Sequence, residues 1–312
     1  GLDTYRIQNR GGKGIKGMQT REEDVVTKLF LSSNHSYLLY FTDMGRVYRT
    51  KTYNIPEAGR TAKGTPVVNI IEKSPEEKIS EIIPVKEFSD NEYLVMVTKN
   101  GIIKKTPASE YESIRKSGKI AITLKEGDEL ISIFKTTGND NIFLATRNGM
   151  AICFNENDAR AVGRTASGVK AIDLADGDYV VGAEPVREDS KVLLVTDGGY
   201  GKCTDLTSFR IQHRGGKGLK AYKITEKTGN IIGISMVNDS EELIMVTSEG
   251  VVIRIRIKDI ATTTGRITQG VRLINLDDGV TVVSMDKISA EDAVEEESEE
   301  NNTEVTTETT EE

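Results

Sequence analysis

Short runs of Val, Ile, Leu and aromatic residues, four or five long, alternate with polar, glycine-bearing segments through most of this chain. Five such runs end at the same four-residue pattern, T-x-x-G. They are Tyr37–Phe41 before Thr42-Asp43-Met44-Gly45 and Tyr93–Val97 before Thr98-Lys99-Asn100-Gly101. Then come Ile142–Ala145 before Thr146-Arg147-Asn148-Gly149, Val192–Val195 before Thr196-Asp197-Gly198-Gly199, and Leu243–Val246 before Thr247-Ser248-Glu249-Gly250. A second extended run follows each glycine, such as Ile102-Ile103-Lys104-Lys105 or Val251-Val252-Ile253-Arg254. Strand, tight glycine turn and strand predict a β-hairpin. Two further apolar runs follow each hairpin, for example Val67–Ile71 with Ile79–Val85, or Ile120–Ile122 with Leu130–Phe134. No window holds a helical period, so the expected unit is four strands in about 50 residues.

A second pattern runs on the same grid. Gln8-Asn9-Arg10-Gly11-Gly12-Lys13-Gly14 returns as Gln212-His213-Arg214-Gly215-Gly216-Lys217-Gly218. Looser R-x-x-x-G forms stand at Arg60–Gly64, Arg164–Gly168 and Arg266–Gly270, with a shorter one at Arg115-Lys116-Ser117-Gly118. The six arginines are 50, 55, 49, 50 and 52 residues apart. A period of this length marks a repeat architecture. Six four-stranded units in series predict an all-β, six-bladed propeller-like ring over residues 1–285, preferred to a superhelical stack of sheets. The first unit has its Arg-Gly segment and no preceding T-x-x-G hairpin, so the chain is expected to start inside that blade.

Charge changes the picture of the last residues. The 312-residue chain has a net charge of −8, but residues 286–312 carry twelve Asp/Glu and one Lys. Without them, 40 Lys/Arg stand against 37 Asp/Glu. The body is mildly basic and residues 286–312 read as a disordered acidic tail, too poor in apolar residues to bury a core. Such asymmetry points to a polyanion partner. The two cysteines, Cys153 and Cys203, each lie seven residues after a repeated Thr and are expected as free thiols of a reducing cytoplasm. No apolar run reaches the ~18 residues of a membrane helix, and no signal-peptide pattern opens the chain.

No catalytic constellation stands out: there are two histidines and no nucleophile-elbow or P-loop signature. The Gly-Gly pair lets backbone approach a partner closely, while Arg10 and Lys13 supply charge suited to phosphate. More cations recur at matching places. After the hairpin turns come Arg46 and Arg49, Lys104 and Lys105, Lys202, and Arg254 and Arg256. Around the Arg-Gly segments come Lys16, Arg60, Lys63, Arg115, Lys116, Arg164, Lys170, Lys220, Arg266 and Arg272. Equivalent positions in a ring share a radius, so these residues predict a rim belt that grips duplex DNA by its phosphates and by bending.

Gln8–Gly14 resembles the signature box of the C-terminal domain of bacterial DNA gyrase A subunits, with Asn9 and His213 where a base is usual. The order of the later segments is similar too, over about residues 2–285. The resemblance implies a β-pinwheel, a propeller variant with strand exchange between blades, that wraps DNA with right-handed sense. It implies that the first box latches first blade to last. It also implies a cytoplasmic, nucleoid-associated A2B2 holoenzyme with the B subunit and the rest of the A subunit. That holoenzyme uses ATP and Mg to add negative supercoils. The isolated domain is expected as a monomer without cofactor, metal, membrane partner or catalytic residues of its own. The A subunit of topoisomerase IV, specialised in decatenation, is the related alternative; a propeller for protein interaction is the alternative of another class.

Overall fold

The structure, a computed structural model, describes residues 32–58 and 62–288 and the backbone of Ile15–Lys16. Gln8–Gly14, Arg60 and the tail from 289 onward lie outside the described residues. Strand is the only extended element, joined by short 3-10 turns such as Thr52–Asn54 and Ala108–Tyr111.

Each T-x-x-G pattern folds as the expected hairpin. Blade I has hairpin strands Tyr37–Thr42 and Arg46–Lys51, blade II Tyr93–Thr98 and Ile102–Pro107, blade III Asn141–Thr146 and Met150–Asn155. Blade IV has Lys191–Thr196 and Tyr200–Asp205, blade V Glu242–Thr247 and Val251–Arg256. The first strand of every hairpin pairs with an inner strand of its own repeat. These are Ile79–Val85, Leu130–Thr136, Val180–Pro185, Ile231–Val237 and Val282–Ile288, each register shifting once beside the repeated Thr.

The fourth strand of each sheet comes from elsewhere. Lys119–Ile120 joins blade I, Val169–Lys170 blade II, Leu219–Lys220 blade III and Val271–Arg272 blade IV, each donated by the repeat after. Ile15–Lys16, from the start of the chain, pairs with Val252–Val251 of blade V. The exchange therefore joins the two ends of the series.

Among the described residues there are five sheets where the period predicts six, and blade IV has a fifth strand, Thr262–Thr263, in place of a uniform four. A sheet needs a hairpin to build on, and the sequence has five T-x-x-G hairpins for its six Arg-Gly segments. Val67–Ile71, expected as a strand, is a 3-10 turn over Val67–Asn69. It folds over the open face of blade I and buries Ile71 against Leu38, Tyr40 and Tyr48. The last strand runs to Ile288, so Asp286–Ile288 belong to blade V and not to the tail.

The core lies between blades. Leu39, Phe41 and Val47 of blade I meet Leu94, Met96 and Leu130 of blade II, and the three later seams repeat this packing. Consecutive inner strands touch one another around a central opening of about 500 Å³. Short exchanged strands form the outer rim.

Candidate nucleic-acid interface

The two sequence patterns share a grid because one is the socket of the other. The turn threonines are buried, and each Oγ1 accepts the backbone N–H four residues on: Arg46 at 3.3 Å, Ile102 at 3.1 Å, Met150 at 3.1 Å, Tyr200 at 3.2 Å and Val251 at 3.1 Å. The turn glycine then offers its carbonyl to the incoming strand. Gly45 O accepts Ala121 N, Gly101 O accepts Ala171 N and Gly149 O accepts Ala221 N, all at 2.7 Å, and Gly199 O accepts Leu273 N at 2.8 Å. At the other end, Gly218 has φ +74 and lies so close to blade III that a Cβ would stand 2.3 Å from Ala151 O. Gly168 and Gly270 cross blades II and IV in the same way. The glycine closing each of these Arg-Gly segments is thus fixed by strand exchange, before any ligand is considered.

Exchange sets a recurring cross-strand pair on the rim. Lys170 stands opposite Ile102, Lys220 opposite Met150, Arg272 opposite Tyr200 and Lys16 opposite Val251. In blade I the order inverts: Arg46, on the hairpin, stands opposite Ile120, on the exchanged strand. Residues directly opposite share a face of the sheet. Every blade therefore pairs one cation with one apolar or aromatic partner at the same register. Arg272 shows what the partner does: its guanidinium donates to Tyr200 Oη at 3.1 Å and lies 5.6 Å from the ring. Lys170, Lys220 and Arg272 are exposed, as are Lys63, Arg115, Lys116, Arg256 and Lys217. The side chains of Lys13, Lys16 and Arg60 lie outside the described residues.

Four other cations expected on the belt are buried and are withdrawn from it. Lys104 is 1% exposed and donates to the carbonyls of Ala121 and Arg164. Lys202 is 0% exposed and donates to Arg266 O and, at 3.1 Å, to Thr268 Oγ1. Burial pulls the first ammonium down to about 7, with Glu110 opposing, and the second down to about 8. Lys105 pairs with Glu156 at 3.0 Å, and Arg254 with Glu242. These side chains point along the blade faces, where strand alternation puts every second residue of a hairpin strand.

Three Arg-Gly arginines, Arg164, Arg214 and Arg266, and the hairpin arginines Arg46 and Arg49 are half-buried and spend donors on protein carbonyls, while Arg115 is exposed. Arg214 gives Nε to Asp158 O at 2.9 Å and Nη1 to Lys170 O at 3.0 Å, and its own N–H bonds Asp158 Oδ2. Arg164 donates to Ile120 O, Arg266 to Ser208 O at 3.4 Å, Arg46 to Ser117 O at 3.0 Å and Arg49 to Glu112 O. Gly215 and Gly216 also dock on backbone, through Gly215 N to Ala171 O at 2.6 Å and Asp173 N to Gly216 O at 2.9 Å. In the second box, Arg-Gly-Gly is a clamp between blades. His213, Gly216 and Lys217 are its exposed members, and Gln212 is half-buried.

Arg160 and Arg210 were missed by the grid. Both are exposed, four residues before Arg164 and Arg214, and that repeated offset is the signal that finds them. Cys153 and Cys203 are free and buried, their thiols raised by burial to about 11 and about 12. Among the described residues no helix is long and apolar enough to cross a membrane.

The family model for the DNA gyrase C-terminal domain, beta-propeller, matches residues 1–33, 36–86, 92–137, 140–187, 190–238 and 241–289. The DNA gyrase A subunit of Halalkalibacterium halodurans is 55% identical over 291 residues, and that of Clostridium acetobutylicum 50% over 291, each alignment covering 93% of this chain. The chain spans 35% of the length of these relatives. A crystal structure of the C-terminal domain of DNA topoisomerase IV superposes with TM-score 0.74 at 29% identity, covering 87% of this chain and 84% of the other. A DNA gyrase A C-terminal domain structure superposes with TM-score 0.82 at 24% identity, covering 92% and 94%, a likeness of fold. Six matched segments on the 50-residue grid, strand exchange through the glycine boxes and half-identical gyrase A relatives converge on one assignment: this chain belongs to the DNA gyrase C-terminal domain family.

Proposed function

We propose that this chain binds duplex DNA without sequence preference along its outer rim and bends it into a right-handed wrap. In that role it serves a gyrase holoenzyme of A2B2 composition, whose other parts hold the ATP, Mg and DNA-breakage chemistry and add negative supercoils. The carrying observation is the cation at one register of every blade: Arg46, Lys170, Lys220, Arg272 and Lys16. A row of cations at equal radius neutralises successive phosphates and holds a bend by electrostatics, with no base read. The pairing of Ile15–Lys16 with blade V supports the latch role for the box just before it, since the strand it leads into ties the start of the chain to the last blade. Relatives at 50% and 55% identity are gyrase A subunits, which favours gyrase over topoisomerase IV.

The test is binding of the chain to random-sequence duplex between 50 and 200 mM salt. Neutralising ~6–10 phosphates costs roughly 10³–10⁵ in affinity over that range. A flat salt response refutes the rim belt. Loss of supercoiling with relaxation retained, after alanine replacement of Arg10, Gly11, Gly12 and Lys13 in the holoenzyme, tests the latch; intact supercoiling refutes it.

A further inference from the structure

The rim carries apolar side chains as well as cations, and two of them stand more than half exposed. Ile211 is 60% exposed and Ile267 53% exposed. Ile211 lies just before the second box, between Arg210 and Gln212, and Ile267 lies in the Arg266–Gly270 segment, next to Arg266. Neither stands on a loose loop. Ile211 bridges Cys153 of blade III in parallel, and the next residue, Gln212, donates its N–H to Cys153 O at 2.8 Å. The carbonyl of Arg266, one residue before Ile267, receives the buried Lys202 ammonium, and Thr268 Oγ1, one residue after, receives it too. The equivalents of Ile211 are Ala161, which bridges Lys105, and Thr262, which pairs with Cys203; both are exposed and small or polar. An isoleucine at this place therefore fills no space that the fold needs filled.

We propose that Ile211 and Ile267 are wedge contacts that enter the minor groove of DNA held on the rim and partly unstack a base step. The proposal rests on the DNA-binding reading above and deepens it. A rigid apolar side chain flanked by cations has the chemistry of a minor-groove wedge: the cations hold the phosphates and the alkyl group replaces stacking contacts at the kink. Exposed Arg210 and Lys217 supply that flank at Ile211. Unstacking is cheapest at pyrimidine–purine steps, so the wrap gains preferred settings on DNA without any base-edge hydrogen bond.

The experiment uses the 312-residue chain and duplexes carrying 2-aminopurine at successive positions of a site centred on a TA step. Binding raises 2-aminopurine fluorescence about twofold or more at the kinked step, as expected for partial unstacking. Ile211→Ala and Ile267→Ala each reduce that rise and the double variant removes it, with affinity held within about threefold because the phosphate contacts remain. Ile211→Met restores it. Both side chains are more than half exposed, so the variants keep the parent melting temperature, which is checked alongside. Salt-dependent binding with no fluorescence rise at any position, or a rise unchanged in the double variant, overturns the wedges and leaves the DNA reading standing. No binding to duplex at all overturns both.

Discussion

Arg214 of the second box donates its Nη1 to the backbone carbonyl of Lys170 at 3.0 Å, so a box arginine holds in place the strand that presents a rim cation. With Nε on Asp158 O at 2.9 Å as well, this guanidinium acts between protein segments rather than toward solvent. Arg214→Ala leaves those carbonyls without a charged donor and is expected to lower stability by ~1–3 kcal/mol. The salt slope of DNA binding stays that of the parent. Urea unfolding and a salt titration measure the two effects separately. A lost phosphate contact with unchanged stability would place Arg214 on the DNA instead.

Lysines on the rim and lysines in the seams should part company. Lys170→Ala, Lys220→Ala or Arg272→Ala each removes one neutralised phosphate, a decrease of ~0.9 in the slope of log K against log salt. Lys202→Met, in the seam beneath the Arg266 loop, leaves the slope unchanged and alters the melting temperature. Equal slopes in all four variants would contradict the division.

The buried ammonium groups give stability a pH dependence of known sign. Lys104 and Lys202 sit at about 7 and about 8 in the fold against 10.5 for a free lysine. Between these values the unfolded chain binds more protons than the folded one, so stability rises with pH. Glu110 and Arg164 face Lys104, and the Tyr222 ring lies 4.9 Å from Lys202. Unfolding free energy is expected to increase from about pH 7 to about 8; above that, ionisation of the unfolded thiols, at about 8.5, increasingly opposes the rise. Lys104→Met and Lys202→Met flatten that rise. A parent protein whose stability falls over this interval would show that other groups dominate.

Glycines closing the Arg-Gly segments are expected to differ by whether a hairpin lies beneath them. Gly218→Ala places a Cβ 2.3 Å from Ala151 O at φ +74, and Gly270→Ala places one 2.4 Å from Gly201 O. Each is expected to cost at least ~1–3 kcal/mol and to loosen one blade junction. Among the described residues no atom lies within 4 Å of the Gly64 Cβ position, so Gly64→Ala carries chiefly its φ +76 strain and is expected to cost less. Thermal melts of the three variants rank them; equal losses would refute the socket geometry.

The acidic tail follows a strand that ends at Ile288. A tethered anionic chain competes with DNA at high effective concentration, most at low salt. Cutting after Ile288, which spares blade V, is expected to raise DNA affinity at low salt, with the gain shrinking as salt rises. Equal affinities across the salt range leave the tail a solubility device.

Local pattern alone determined the hairpins. The T-x-x-G turn uses a side chain and a glycine within five residues of each other, so Thr42–Gly45 and its four copies were legible one by one. The period of the Arg-Gly segments likewise marked a series of repeats, although their count of six exceeds the five sheets formed among the described residues.

Strand partners were decided in three dimensions. Lys119–Ile120 pairs with Val47–Arg46, 72 and 74 residues back in the chain, and Ile15–Lys16 pairs with Val252–Val251 at the far end, choices made by inter-blade packing and not by adjacent sequence. The same exchange split the cations. Lys104 and Lys170 look alike in sequence, each on an extended run beside apolar residues. Lys104 lies on a hairpin strand between packed blades and Lys170 on the outermost strand, so one is a seam contact and the other a rim cation. Val67–Ile71 is apolar enough for a strand, yet it covers blade I instead. Apolar composition sets that it must be buried, while only the tertiary structure sets whether a hairpin or a sheet face buries it.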